Sequence, residues 1–384
     1  MVLHELLHYD TLRVIWWLLL GILLIGFAVM DGFDLGTGTL LPFVAHNDIE
    51  RRVVINAVGP VWEGNQVWLI LAGGAIFAAW PQLYAVSFSG FYLAMFIILV
   101  ALILRPVAFK YRSKRESPRW RSTWDWALFV GGLVPALLCG VAVGNVLLGV
   151  PFRLTPDMQI FYDGSFFGLL NPFALLCGLV SLSMMITHGA AWLCIKTDGA
   201  AAERARAFGS VTALLTAVLF ALAGLVLWQW VDGFAITSAI NPAGPSNPLF
   251  KTAVVAPGAW LQNYSQYHWT LVAPLAGFAG TLLASVLLRA RRDIAAILAS
   301  ALCITGIILT VGASMFPFIL PSSVDPRFSL TVWDSSSSHL TLFVMLVCTA
   351  IFLPLILAYT TWVYKVLWGK VDAKRIEDGN GHAY

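Results

Sequence analysis

Charged residues are scarce in this sequence. Asp, Glu, Lys and Arg make up 11% of its 384 residues, whereas they make up about a quarter of a typical soluble domain. Hydrophobic residues make up 59%, so the chain has too little polar surface to face water on all sides. This composition excludes a soluble globular protein and predicts a membrane protein.

Cysteine and histidine are also rare. The five cysteines lie in apolar stretches or at their ends, so we expect no disulfide, and none has the spacing of a metal site. Of the seven histidines, His188 alone lies inside an apolar stretch. A lone intramembrane histidine can ligate haem iron. No second histidine lies at its depth, so we interpret His188 as a neutral side chain bonded to a neighbouring helix and expect no haem on this chain.

What the chain has in abundance is long apolar runs. There are nine, each near the ~20 residues that a helix needs to cross a membrane. They are continuous, which excludes the short alternating strands of a β-barrel and leaves helices as the way to satisfy every backbone group in lipid. We predict an all-α polytopic membrane protein, with 1–384 as a single membrane domain and nine transmembrane helices at 15–33, 62–80, 84–105, 125–147, 172–192, 207–231, 270–288, 294–318 and 340–364.

Lys and Arg fall almost entirely in every second gap between the runs. Eighteen of the 23 follow spans 1, 3, 5, 7 or 9. Because cytoplasmic loops carry the excess of positive charge, this partition predicts nine spans with the N-terminus outside and the C-terminus in the cytoplasm. It also explains the basic residues without a nucleic-acid partner. The opposite side holds four of them: Arg13, Arg153, Lys251 and Arg327.

The gaps predict how the spans connect. The gap near Pro81 is very short, so spans 2 and 3 should form a tight antiparallel hairpin on the outer face. The gap at 231–269 is the longest and is rich in Asn, Pro, Gly and Ser, which predicts an ordered loop on the outer surface. The leader before span 1 carries two acids against one arginine, so we expect span 1 to be retained and not cleaved as a signal peptide.

The few ionisable residues of the spans gather at one boundary. By the topology above this is the cytoplasmic one, and an ionisable group at the membrane centre costs about 2.5–3.5 kcal/mol on insertion scales. Two residues end span 1, one opens span 2, one ends span 3 and one opens span 4: Asp31, Asp34, Glu63, Arg105 and Asp125.

This grouping has two interpretations. In the structural one, Glu63 and Asp125 favour helix N-termini and Arg105 extends to the headgroups. In the functional one, the acids form a polar entry for protons from the cytoplasm. Asn65 and Gln66 would continue it inward from Glu63 as a short water chain. The residue types alone leave both open.

Eleven segments in one order resemble subunit II of cytochrome bd-type quinol oxidases, and the resemblance runs along nearly the whole chain. The segments are IWWLL at 15–19, DGFDLG at 31–36, WEGNQVW at 62–68, FAAWP at 77–81, FSGFY at 88–92, RP at 105–106, WDW at 124–126, GVPF at 149–152, MFPF at 315–318, PSS at 321–323 and LTVWD at 330–334.

The resemblance implies an architecture and a partner. It implies two four-helix bundles, at 1–147 and 172–318, with a peripheral ninth helix and cytoplasmic tail at 338–384. It implies a haem-free chain in the bacterial inner membrane beside a subunit I that holds two b-type haems and haem d. That complex oxidises quinol and reduces oxygen to water with cytoplasmic protons. Some members bind a structural quinone, and the sequence leaves open a small single-span subunit as a further partner.

The resemblance also implies roles for single residues. Glu63 matches the proton-path acid of the family, which is Asp in some relatives. Asp31 and Asp34 match the acids that end span 1. Arg105 and Asp125 match supports for the haem-bearing subunit. A further match places Trp68 beside a proposed oxygen entrance. No catalytic residue is implied on this chain.

Two other classes of membrane protein remain as alternatives. A polytopic secondary transporter should show interrupted helices and ionisable groups near the middle of the membrane, and the sequence shows neither clearly. A cytochrome b-like subunit with its own haem should show paired histidines on facing helices, and the sequence has no such pair.

Overall fold

The computed structural model describes residues 3–371, 373 and 376, with side chains from residue 5 onward. Thirteen α-helices carry the fold. They are α1 Tyr9–Met30, α2 Gly32–Val44, α3 Asp48–Val58, α4 Trp62–Ala79, α5 Pro81–Gly90, α6 Tyr92–Tyr111, α7 Pro118–Leu148, α8 Pro172–Lys196, α9 Gly199–Trp230, α10 Ala259–Gln266, α11 Val272–Arg289, α12 Asp293–Met315 and α13 His339–Val366.

The fold is mostly helical, as predicted, and three small antiparallel sheets are added to it. Each has two strands and lies in a connection between long helices. The strands are β1 Phe152–Leu154 with β2 Ile160–Tyr162, β3 Gly233–Ile236 with β4 Ala253–Ala256, and β5 Phe318–Leu320 with β6 Leu330–Thr331. The second sheet and α10 give the long 231–269 loop regular structure.

Eight helical segments of the described chain are long and apolar enough to cross a membrane, so the protein is a multi-pass membrane protein. The α1–α2 pair counts as one of them, Tyr9–Val44. Helix α4 is not among the eight, although it coincides with the predicted second span. Its first turns carry Glu63, Asn65 and Gln66, which lower its mean hydropathy.

The first span is interrupted, which the sequence did not reveal. It was predicted to end at Phe33, but helix continues to Val44 after a break at Asp31. The break is confined to one residue: Asp31 keeps right-handed helical angles, and helical bonds run on both sides of it, from Asp31 N–H to Phe27 O and from Leu35 N–H to Asp31 O. At about 1.5 Å per residue, α1 spans ~33 Å, so the break lies one membrane thickness from the start of the helix.

Three further boundaries differ from the prediction. Helix α5 separates α4 from α6, so spans 2 and 3 are not a tight hairpin, and α4 packs mainly on α1 and α5. Helix α7 begins at Pro118, a residue suited to a first helical position, so Asp125 lies two turns inside the helix. Arg105 likewise lies inside α6, which runs on to Tyr111.

The long helices pack in two groups that meet along α7 and α8. In one, α2 and α6 pack on α7, and α4 packs on α1; in the other, α8, α9, α11 and α12 pack around one another. Helix α2 also packs on α8, which joins the groups. Helix α13 contacts α1 and α4, and Leu342 is its one buried residue. Much of the predicted cytoplasmic tail after it lies outside the described residues.

Candidate functional site

The break in the first span sets two carboxyl groups side by side. Asp31 ends α1, and Asp34 lies in the first turn of α2, where the partial positive charge of the helix N-terminus favours a carboxylate. Both side chains are fully buried. Asp31 and Asp34 therefore lie close together on either side of the break.

Arg105 of α6 neutralises one of these carboxyls. Its Nη1 and Nη2 donate to Asp31 Oδ2 and Oδ1 at 3.1 and 2.8 Å, the two-point pairing that makes such hydrogen bonds strong. Its Nη2 also lies 3.9 Å from Asp34 Oδ2. The arginine stem fits against Gly131 of α7, where a Cβ would come within 2.9 Å of Arg105 Cγ. The cluster therefore holds one cation and two acids.

An amide and a phenol extend the cluster toward α4 and α13. Asn65 Nδ2 donates to Asp34 Oδ2 at 2.7 Å, and Tyr364 OH donates to Asn65 Oδ1 at 2.7 Å. These two bonds tie together α2, α4 and the sparsely packed α13. We call Asp31, Asp34, Asn65, Arg105 and Tyr364 the buried polar cluster.

A small cavity adjoins the buried polar cluster. Its lining includes Asp34, Thr37 and Arg105, and the volume open to a water centre is about 10 Å³, roughly the space of one water molecule. Asp34 Oδ1 and Thr37 Oγ1 are buried without a hydrogen-bond partner among the described residues. Buried polar atoms of this kind are normally satisfied by protein or by ordered water, so the cavity suits a water molecule that bridges the two.

Glu63 lies on the opposite side of α4. Residues two apart on a helix do not share a face, and Glu63 is exposed while Asn65 is buried. Gln66, three residues on, is half-buried, and the exposed Val67 and Ile70 continue the Glu63 side. The structure therefore does not bring Glu63 and Asn65 together in one water chain within this subunit.

Asp125 belongs to a second, separate network. It accepts from Arg51 Nη1 at 2.7 Å and from Arg112 Nε at 2.5 Å. Arg112 and Arg121 also donate to Asp48, at 3.0 and 2.8 Å. This network ties α3 to the ends of α6 and α7. Asp125 is buried within the chain by Arg51 and Arg112. The sequence did not connect them because they come from two separate segments, α3 and the end of α6.

Trp68 and His188 both lie between packed helices. Trp68 is buried against Gly26 of α1, where a Cβ would lie 2.4 Å from the indole ring. His188 Nδ1 lies 2.6 Å from Ser300 Oγ, and its Nε2 lies 2.9 Å from Val29 O. The interpretation of His188 as a side chain bonded to neighbouring helices therefore agrees with its geometry, and both ring nitrogens are engaged.

Two residues of the site were missed from the sequence. Tyr364 lies at a span end, where aromatic residues are common at the membrane–water interface, so nothing in the sequence marks it as part of the site. Thr37 lies one turn after Asp34, and residues at this spacing share a face only within a helix. The predicted first span ends at Phe33, so the sequence did not place these two residues on one helix. In the described part of the chain, no group of three His, Cys, Asp or Glu residues is placed to hold a metal ion.

The sequence matches known proteins along almost its whole length. The family model described as cytochrome bd terminal oxidase subunit II matches residues 12–367. The chain is 50% identical over 378 residues to a probable cytochrome oxidase subunit 2 of Haemophilus influenzae, which covers 98% of this chain and 100% of that protein. It is 49% identical over 381 residues to the cytochrome bd-I ubiquinol oxidase subunit 2 of Escherichia coli, with 99% and 100% covered.

The fold also has a solved counterpart. It matches the bd oxidase from Geobacillus thermodenitrificans with a TM-score of 0.69 over 93% of this chain and 98% of that chain. The identity is 19%, so this likeness shows the fold alone. The comparisons confirm the predicted family and give the transporter alternative no support. The chain belongs to the cytochrome bd terminal oxidase subunit II family and is an integral membrane subunit of a respiratory quinol oxidase.

Proposed function

We propose that this chain is a haem-free subunit that brings cytoplasmic protons to an oxygen-reducing site in subunit I. Nine spans cross the bacterial inner membrane in this proposal, with α4 as the span of lowest hydropathy and the N-terminus outside. The two helix groups are the two four-helix bundles, and α13 is the peripheral helix. The haems of subunit I supply the reduction of oxygen, and the residues of this chain supply positioning and protons.

The environment of His188 supports the haem-free assignment. A ring nitrogen that ligates iron must point its lone pair at the metal. Both nitrogens of His188 instead face protein oxygens, Ser300 Oγ and Val29 O. The residues around His188 do not fit a haem, so no redox step is assigned to this chain.

The exposure of Glu63 carries the proposal of a proton path. A carboxylate on the apolar outer side of a membrane helix is costly in lipid, and Glu63 has no hydrogen-bond partner among the described residues. Subunit I or water is therefore expected to cover it. Gln66, on the same side of α4, extends the polar surface inward, so we assign proton uptake to Glu63 and its onward passage to the Gln66 side.

The buried polar cluster has a supporting role in this path. Asn65 anchors the first turns of α4 by its hydrogen bonds to Asp34 and Tyr364. This anchoring fixes the rotation of α4 and therefore the side on which Glu63 lies. One arginine faces two acids, so a single positive charge compensates only one of them. Asp31 takes that role through its two-point pairing, and Asp34, open to the cavity, is the acid placed to hold a proton.

Trp68 is the residue we assign to an oxygen route.

Replacing Glu63 by glutamine tests the path. Glutamine keeps the size and hydrogen bonding of the side chain but cannot release and rebind a proton, whereas Glu63→Asp can. We expect turnover per haem d of the assembled oxidase to fall about tenfold or more in Glu63→Gln, with partial or full activity in Glu63→Asp and a similar apparent affinity for quinol in both.

Glu116→Gln is the matched control, because Glu116 is an exposed acid in the loop before α7. It should leave turnover unchanged. Normal turnover per haem d in Glu63→Gln would remove Glu63 from the proton path and leave it as a helix-start carboxylate, whose loss costs only about 0.3–1 kcal/mol of stability.

A further inference from the structure

We propose that the cytoplasmic corner between α6 and α7 binds the phosphate headgroup of an anionic phospholipid. The corner consists of Lys110, Tyr111, Lys114, Arg115 and Trp120, and we call it the α6–α7 corner. It is separate from the buried polar cluster, and the proposal does not depend on the proton path.

The corner is an open recess on the surface. Its five residues line a volume of about 580 Å³. Trp120 Nε1 donates to Tyr111 O at 2.8 Å, which fixes the indole ring against the end of α6. The guanidinium of Arg115 lies 4.9 Å from the centre of that ring, within the range of a cation–π contact. Arg115 and the two aromatic residues are therefore held together beside the recess, and Lys114 lies on its lining.

Charge pairing distinguishes the corner from two arginines packed beside it. Arg112 is neutralised by Asp125 and Asp48, and Arg121 by Asp48. By contrast, Lys114 and Arg115 are exposed and have no carboxylate partner in the described part of the chain. The general excess of positive charge on the cytoplasmic side explains why cations lie here, but it does not explain why two of them face a recess without a counter-ion.

The depth of the corner selects a lipid over a soluble phosphate. Tyr111 and Trp120 are aromatic residues at the end of a membrane helix, where such rings lie at headgroup level. Below them, α6 exposes Leu99 and Ile103, an apolar surface on which acyl chains can lie. Basic pockets beside membrane helices on the cytoplasmic side bind anionic headgroups. The phosphate would thus face Lys114 and Arg115, with the chains along α6.

Lipid binding to the assembled, delipidated oxidase tests this site. The probes are fluorescent phosphatidylglycerol and phosphatidylcholine with identical chains. We expect the wild type to prefer phosphatidylglycerol. The Lys114→Gln/Arg115→Gln variant should bind it about thirtyfold more weakly, with unchanged haem content. The control Arg289→Gln/Arg292→Gln removes two exposed cytoplasmic cations at the α11–α12 connection and should bind like the wild type.

Three results would overturn the proposal. Equal affinity in the Lys114→Gln/Arg115→Gln variant and the wild type would show that the corner is not the site, as expected if subunit I covers it. Equal binding of phosphatidylcholine by the wild type would exclude a site for an anionic lipid. Displacement of labelled phosphatidylglycerol by millimolar glycerol phosphate would identify a site for a soluble phosphate in place of a lipid.

Discussion

Arg105→Leu is expected to cause the largest loss of stability of any single substitution in the buried polar cluster. It leaves Asp31 and Asp34 buried together with no cation, since Arg105 is the cation bound to them. Removing one partner of a buried ion pair costs about 3–5 kcal/mol. Thermal unfolding of the purified oxidase, with the ratio of the two subunits and the haem content measured on the same sample, should show a lower midpoint and loss of haem.

A double variant separates charge from packing. In Arg105→Leu/Asp31→Asn, one of the two uncompensated carboxylates is gone, so part of the lost stability should return. Recovery would assign the defect to charge, whereas an equal defect in both variants would assign it to the arginine stem against Gly131. Full haem content, normal turnover and an unchanged midpoint in Arg105→Leu would show that Arg105 is a boundary residue without a role in the cluster.

Gly36→Ala is expected to disrupt the contact between the two helix groups. Helices α2 and α8 approach so closely that a Cβ at Gly36 would lie 2.0 Å from Met185 O. A backbone atom cannot rotate away as a side chain can, so the helices must separate. Overpacking typically costs about 1–3 kcal/mol and occasionally more. Separation would also pull His188 from Val29 O, because His188 lies one turn from Met185.

Gly21→Ala is the control for this substitution. Gly21 lies in α1, and a Cβ there would meet no atom within 4 Å. The thermal midpoint of Gly21→Ala should therefore be equal to or slightly above that of the wild type. The yield and the thermal midpoint of the assembled oxidase report both variants. Equal midpoints for Gly36→Ala and the wild type would show that α2 and α8 are not locked together.

The sequence predicted the features that depend on local composition. Span positions follow from runs of apolar residues, and the start of α4 at Trp62 follows from the polar residues after Pro60. Membership of the family follows from many motifs in one order. The sequence also predicted that His188 bonds to a neighbouring helix, because a buried histidine needs a hydrogen-bond partner.

The sequence did not predict the features that depend on long-range contacts. The break at Asp31 has no proline to mark it. The continuation of the helix to Val44 places Asp34 and Thr37 on one face beside the cavity. Glu63 and Asn65 are close in the chain, yet the helix turns them to opposite sides. The partners of Asp125 come from α3 and the end of α6, and hydropathy carries no information about which segments meet there.

Time-resolved proton uptake by the Glu63→Gln oxidase in liposomes tests the central claim most directly. The fully reduced enzyme is mixed with oxygen while haem absorption and membrane voltage are recorded together. We expect oxygen to bind at the wild-type rate, the voltage phase that accompanies proton uptake to slow by about tenfold or more, and Glu63→Asp to restore it. A voltage phase as fast in Glu63→Gln as in the wild type would contradict the claim that this subunit brings protons to the oxygen-reducing site through Glu63.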